Sequence, residues 1–83
     1  MSSERMRQLM AELNKELHKP ADIDPETRAL LRELNEEIER VAGEYSESAL
    51  DRAKQLESKF AANHPVAERL ARELADILAK MGV

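Results

Sequence analysis

Two histidines are the residues of this 83-residue chain best suited to acid–base or metal chemistry. His64 precedes Pro65 at a break in the helical pattern, where an imidazole could serve as a base or a metal ligand. His18 follows the first apolar stripe, where a cation suits the negative end of a helix. Metal ligands on one helix face typically come as His-x-x-x-His or Glu-x-x-His, and neither spacing occurs in this sequence. We therefore expect no catalytic residue, metal or cofactor, and a metal-binding or enzymatic protein that uses His64 and acidic side chains is the weaker alternative.

Other reactive side chains are also scarce. The chain has no cysteine, which excludes thiol nucleophiles, disulfides and thiolate metal sites. Its two glycines, Gly43 and Gly82, cannot form a phosphate-binding loop. The densest acidic run comprises Glu33, Glu36, Glu37 and Glu39. We interpret this run as a solvated helix face rather than a binding site for a basic partner.

The hydrophobic residues are numerous but small. Hydrophobic residues make up 42% of the chain, and 12 of them are alanine, which buries little area, against 11 leucines. Tyrosine and phenylalanine occur once each and tryptophan is absent. A chain of this size without disulfides usually needs further support, such as a partner chain. We therefore expect self-association, most simply as a homodimer.

The charges and the lengths of the apolar runs argue against two classes of partner, nucleic acids and membranes. Thirteen basic and 17 acidic side chains give a net charge of −4, and both signs are interspersed along the chain. A nucleic-acid-binding protein normally has a clustered basic face, so we expect no nucleic-acid partner. No apolar run approaches the roughly 18 residues that span a bilayer, so we expect no membrane association. Together with the absence of cysteine, this favours the cytoplasm.

Apolar residues at spacings of three and four predict an all-α fold of four short amphipathic helices. The predicted helices cover residues 3–19, 25–42, 48–62 and 65–81 of a single domain, 1–83. Short connections predict two antiparallel hairpins, helices one with two and three with four, in a bundle completed by self-association.

Capping residues predict where the helices begin. Asp24 before Pro25 is a typical helix start, and Ser46 or Ser48 is the expected cap of the third helix. Either Asn63 or His64 is the expected cap of the fourth.

The segment Asn63-His64-Pro65 is the predicted structural turn between the third and fourth helices. A residue before proline is biased away from helical torsions, which favours a break at this point. A continuous helix with a kink at Pro65 is the alternative.

A candidate interaction face lies on the first and fourth helices. It comprises Met6, Leu9, Met10, Leu13, Leu70, Leu74, Ile77 and Met81. Methionine is pliable and suits adaptable binding faces, although core packing explains the same pattern. We predict a non-enzymatic protein that acts by helix–helix association, with itself and with an unidentified cytoplasmic protein. The alternative is a monomeric adaptor or regulatory protein that docks on a larger partner through helix one.

Two segments of the sequence carry a family resemblance. Residues 60–65 read FAANHP and residues 75–83 read ADILAKMGV, and near the N-terminus Leu13 is followed by Glu16 and Leu17. This combination resembles an uncharacterised family of short bacterial proteins known only as a domain of unknown function. Asn14 stands where that family often has histidine. The resemblance implies a helical fold and a bacterial source, and no activity.

Overall fold

The computed structural model describes residues 2–17, 24–41, 44–62 and 64–82. They form an all-α fold without strands in these ranges. The helices are α1 (Ser2–Leu17), α2 (Pro25–Val41), α3 (Glu47–Phe60) and α4 (Pro65–Met81). The described part of the chain measures 34 × 19 × 18 Å along its principal axes.

The predicted and observed bounds differ at three helix ends of the described residues, and the first of these is the start of α1 at Ser2, one residue before the predicted start. Residues 18, 19 and 42, at the predicted ends of the first and second helices, lie outside the described residues. The third helix begins one residue earlier and ends two residues earlier than 48–62. That residues 1–83 form a single domain remains a prediction.

The start of α2 follows from its sequence. The Thr27 N–H donates to the Asp24 carboxylate at 2.7 Å, and the Arg28 N–H donates to the Asp24 carbonyl at 3.1 Å. Pro25 occupies the first helical position, where its missing N–H costs no hydrogen bond. The bonds from Thr27 also lower the pKa of Asp24, because they stabilise its charged form.

Ser46, rather than Ser48, caps α3. Its side chain accepts a hydrogen bond from the Ala49 N–H at 3.2 Å. Ser48 instead lies inside the helix and bonds to the Arg52 guanidinium. The third helix therefore begins at Glu47, one residue before the predicted start.

The core is formed by the apolar stripes of all four helices. Buried hydrophobic residues are Met6, Leu9, Met10, Leu13 and Leu17 of α1; Leu34 and Ile38 of α2; Ala49, Ala53, Leu56 and Phe60 of α3; and Ala67, Leu70, Ala71, Leu74, Ala75 and Leu78 of α4. The contribution of α2 is the smallest, because Leu30, Leu31 and Val41 of its stripe are only partly buried. In the described chain, α2 is thus the least covered helix.

The helices adjoin one another unequally. Contacts are most extensive between α3 and α4, substantial between α1 and α4 and between α2 and α3, and sparse between α1 and α2. The order around the core is therefore α2, α3, α4, α1, with an opening between α1 and α2. The pairing of α1 with α2 as a tight hairpin remains a prediction.

Tyr45 lies against the end of α4. A Cβ atom added at Gly82 would lie 2.6 Å from Cε1 of the Tyr45 ring, so the ring rests directly on the glycine. Gly82 has φ of −86°, a conformation open to any residue, so the close approach of the ring explains the glycine. The ring therefore joins the α2–α3 connection to the C-terminal end of α4.

Candidate functional site

The residues of the candidate interaction face lie mainly in the core of the single chain. Six are buried: Met6, Leu9, Met10, Leu13, Leu70 and Leu74. Ile77 and Met81 pack against the core and are partly buried. The structure thus brings these residues together, but most of their surface is already covered. A partner could reach the apolar stripe of α1 only if that helix left the core.

His64 occupies the N-cap position of α4. Its carbonyl accepts from the Glu68 N–H at 2.8 Å, and its side chain makes no capping hydrogen bond. The ring packs edge-on against Phe60, with ring centroids 5.7 Å apart. These contacts give His64 a structural place at the helix entry.

The connection at His64 is a turn between two separate helices. The Ala61 N–H reaches back to Ser58 at 3.4 Å, and the His64 N–H donates to the Phe60 carbonyl at 2.9 Å. The helix ends at Phe60 because the chain must leave helical torsions before Pro65. Asn63 lies outside the described residues, so its predicted capping role does too.

Acidic and histidine side chains do not converge on a metal site in the described ranges. No group of three or more histidine, cysteine, aspartate or glutamate residues there is arranged to hold a metal ion. His18 lies outside those ranges.

The acidic run of α2 lies at the surface, with cations beside three of its four residues. A nitrogen of Arg52 lies 3.3 Å from Glu33, and a nitrogen of Arg7 lies 3.9 Å from Glu39. Glu37 pairs with Arg40, which lowers the pKa of its carboxyl group, and the bond from Ser46 lowers it further. Three of the four acidic residues therefore lie near a cation, in two cases on another helix, while the side chains of Glu33 and Glu39 remain 46% and 60% exposed.

Further ion pairs connect the other helices. Arg5 of α1 lies 2.5 Å from Glu73 of α4, and Lys59 at the end of α3 lies 2.8 Å from Glu26 at the start of α2. The bond to Glu26 raises the pKa of Lys59. These pairs are partly exposed, so each adds little stability. They indicate which helix faces lie opposite one another.

Another such pair joins α3 to α4. Guanidinium nitrogens of Arg72 lie 3.1 Å from a carboxylate oxygen of Glu57 in α3 and 2.9 Å from one of Glu68 in its own helix. The two carboxylates raise the pKa of Arg72.

An open groove of about 250 Å³ lies between α1 and α2. Its lining residues are Arg7, Met10, Ala11, Asn14, Asn35, Ile38 and Glu39. Met10 and Ile38 form an apolar floor, each 3% exposed, while the polar residues form the walls. The groove marks the place where two helices of the fold make few contacts, which makes it the candidate site of this chain.

A second groove, of about 290 Å³, lies between α2 and α3. Its lining residues are Leu30, Glu33, Ser48, Asp51, Arg52 and Gln55. Arg52 is held there by Glu33 and Ser48. The groove contains no histidine or buried carboxylate, so it offers a shallow polar surface rather than a catalytic centre.

The walls of the α1–α2 groove were not predicted from the sequence. Arg7 and Ala11 follow one another by four residues on α1, as do Asn35 and Glu39 on α2. This spacing places each pair on one helix face, beside the apolar stripe. The register that sets one pair opposite the other depends on tertiary packing, which the spacing alone does not reveal.

Among the described residues, no helix is both long enough and apolar enough to cross a bilayer.

Comparison with known proteins identifies a family and no closer relative. No curated protein and no solved structure matches the chain significantly. The family model "Domain of unknown function (DUF4404)" matches residues 6–83, which include parts of all four helices and both segments of the predicted resemblance. The chain therefore belongs to the DUF4404 family.

Proposed function

We propose that the protein is a non-enzymatic, small helical protein that acts by helix–helix association. It first forms a homodimer, and the dimer then binds another protein in the bacterial cytoplasm. The two predicted hairpins, α1 with α2 and α3 with α4, are completed in this proposal by the second copy. The absence of cysteine and the resemblance to short bacterial proteins support the compartment and the source.

The incomplete covering of α2 is the observation that carries this proposal. Leu30, Leu31 and Val41 remain partly exposed, and an open groove separates α2 from α1 above the buried residues Met10 and Ile38. Burial of apolar surface stabilises by about 25 cal/mol per Å², so covering this helix favours association. A small alanine-rich core gives the chain little stability to spare without it.

The adaptor alternative has less support. Docking through the apolar stripe of α1 would require Met6 and Leu9 to leave the core, where each is fully buried. An adaptor function would therefore use the outer face of α1 instead.

Light scattering coupled to size-exclusion chromatography tests the proposal. The chain has a mass of 9.4 kDa, and we expect twice that mass at high micromolar concentration, falling toward the monomer mass on dilution. A monomer mass at every concentration up to about 1 mM would reject self-association, because association weaker than this contributes only about 4 kcal/mol.

A further inference from the structure

The walls of the α1–α2 groove carry opposite charges that are poorly paired. The nearest nitrogen of Arg7 lies 3.9 Å from the nearest oxygen of Glu39, longer than the 2.5–3.3 Å of the other pairs between helices. The two side chains are 63% and 60% exposed. A charged hydrogen bond normally measures about 2.7–2.9 Å, so each group keeps most of its capacity for a further partner.

This charge pattern is complementary to itself. The groove has a cation on its α1 wall and an anion on its α2 wall. A twofold axis parallel to the groove would place α1 of one copy over α2 of the other, so that Arg7 meets Glu39 of the second copy and the reverse contact repeats it. A uniformly basic or acidic partner would satisfy only one wall, which favours a second copy as the occupant.

The shape of the groove suits the approach of a second pair of helices. Ala11 lies exposed on the α1 wall, one turn from Arg7, and its small side chain permits a short distance between helices. Leu31 is partly buried and precedes Asn35 and Glu39 by four and eight residues on the same face of α2. A second copy would cover it together with the apolar floor.

We infer that the homodimer interface is the α1–α2 groove, with Arg7 and Glu39 paired between copies. This inference rests on the proposed self-association and adds the surface and the residues that define it. The four charges of the two grooves then alternate in sign, so each has an opposite charge on both sides.

Charge reversal in trans tests this surface. Arg7→Glu and Glu39→Arg each leave both walls of one chain with the same sign, so each variant alone should dimerise about tenfold more weakly than the wild type. When the two variants are mixed, every contact between chains is again between opposite charges. We expect heterodimers to exceed the statistical half of all dimers in native mass spectrometry, which separates the two chains by mass.

The mixture isolates the contact between chains. Each variant loses the same contact within its own chain whether alone or mixed, so a gain on mixing arises only across the interface. Arg69→Glu, an exposed charge reversal on α4, should leave dimerisation unchanged. If the wild type dimerises but mixing gives the statistical ratio, the surface is wrong and self-association stands. If the wild type is monomeric, both proposals fail.

Discussion

The hydroxyl of Ser46 donates a hydrogen bond to the Glu37 carboxylate at 2.8 Å and ties the later part of α2 to the start of α3. The same oxygen accepts from the Ala49 N–H, so one buried side chain caps a helix and fixes its neighbour. Glu37 is further held by Arg40.

Removal of the Ser46 hydroxyl should destabilise the fold measurably. Ser46→Ala loses the cap of α3 and the bond to Glu37, and N-cap replacement typically costs about 1 kcal/mol. Urea unfolding followed by circular dichroism measures the change. Ser48→Ala is the matched control, because Ser48 is exposed and bonds only to Arg52 and should change stability by less than about 0.5 kcal/mol. Equal losses in the two variants would contradict the assignment of the cap.

Acid should weaken the fold through Asp24 and Glu37. Folding lowers both pKa values, by bonds from Thr27 and from Arg40 respectively, so the unfolded chain binds protons more readily. Their contribution to the free energy of unfolding is complete above the ordinary pKa values, about 3.9 for aspartate and 4.3 for glutamate. It is lost as the pH falls through the lower pKa values of the folded chain.

Glu37→Gln isolates one of these contributions. The variant should be less stable than the wild type near neutral pH, and the two urea midpoints should converge as the pH approaches 3. A difference that stays constant over this range would show that the carboxylate charge contributes nothing.

Helix starts and the core stripes were the parts of the fold that the sequence predicted well. Asp24 and Pro25 form a local signal for the start of α2. Pro65 likewise occupies the start of α4, although the side chain of His64 makes no capping bond there. The end of α3 was wrong by two residues, because the pattern of alanines permits a longer helix while the turn before Pro65 does not. Between Ser46 and Ser48 the local signals were balanced, and the contact with Glu37 of another helix decided the cap.

The candidate site was less predictable for a related reason. Hydrophobic spacing identified Met6 and Leu9 correctly as members of an apolar face, but it could not separate core from interface. The groove depends on which polar residues of α1 oppose those of α2. Arg7 and Glu39 are 32 positions apart, and only the packing of the helices brings them together.

The core position of α1 leads to a sharp expectation for Leu9. Leu9 is fully buried, and Leu9→Asp would place a charge in the core at a cost of more than about 4 kcal/mol, enough to unfold a domain of this size. Circular dichroism should show a largely unfolded chain. Gln8→Asp, at the exposed neighbouring position, should remain folded. A folded Leu9→Asp protein would contradict the core position of Leu9, and loss of a captured partner by that folded protein would support the docking role of α1.

The contact between Tyr45 and Gly82 provides a local spectroscopic probe. Gly82→Ala would place a methyl group where the Tyr45 ring now lies, so the ring must rotate away. Because Tyr45 is the single tyrosine and tryptophan is absent, its intrinsic fluorescence reports this movement. We expect altered emission with a stability loss of about 1 kcal/mol or less, since the ring is already 43% exposed. Unchanged fluorescence would contradict the contact.

Site-specific cross-linking measures the central claim most directly, because the chain has no cysteine of its own. In the proposed dimer, α1 of one copy runs antiparallel to α2 of the other. Ala11 of one copy therefore lies over Asn35 of the other when Arg7 lies over Glu39. A mixture of Ala11→Cys and Asn35→Cys chains should form a mixed disulfide rapidly under mild oxidation. A mixture of Ala79→Cys and Asn35→Cys, with the exposed cysteine on α4, should not. Equal cross-linking in both mixtures, or none in either, would contradict association through the groove.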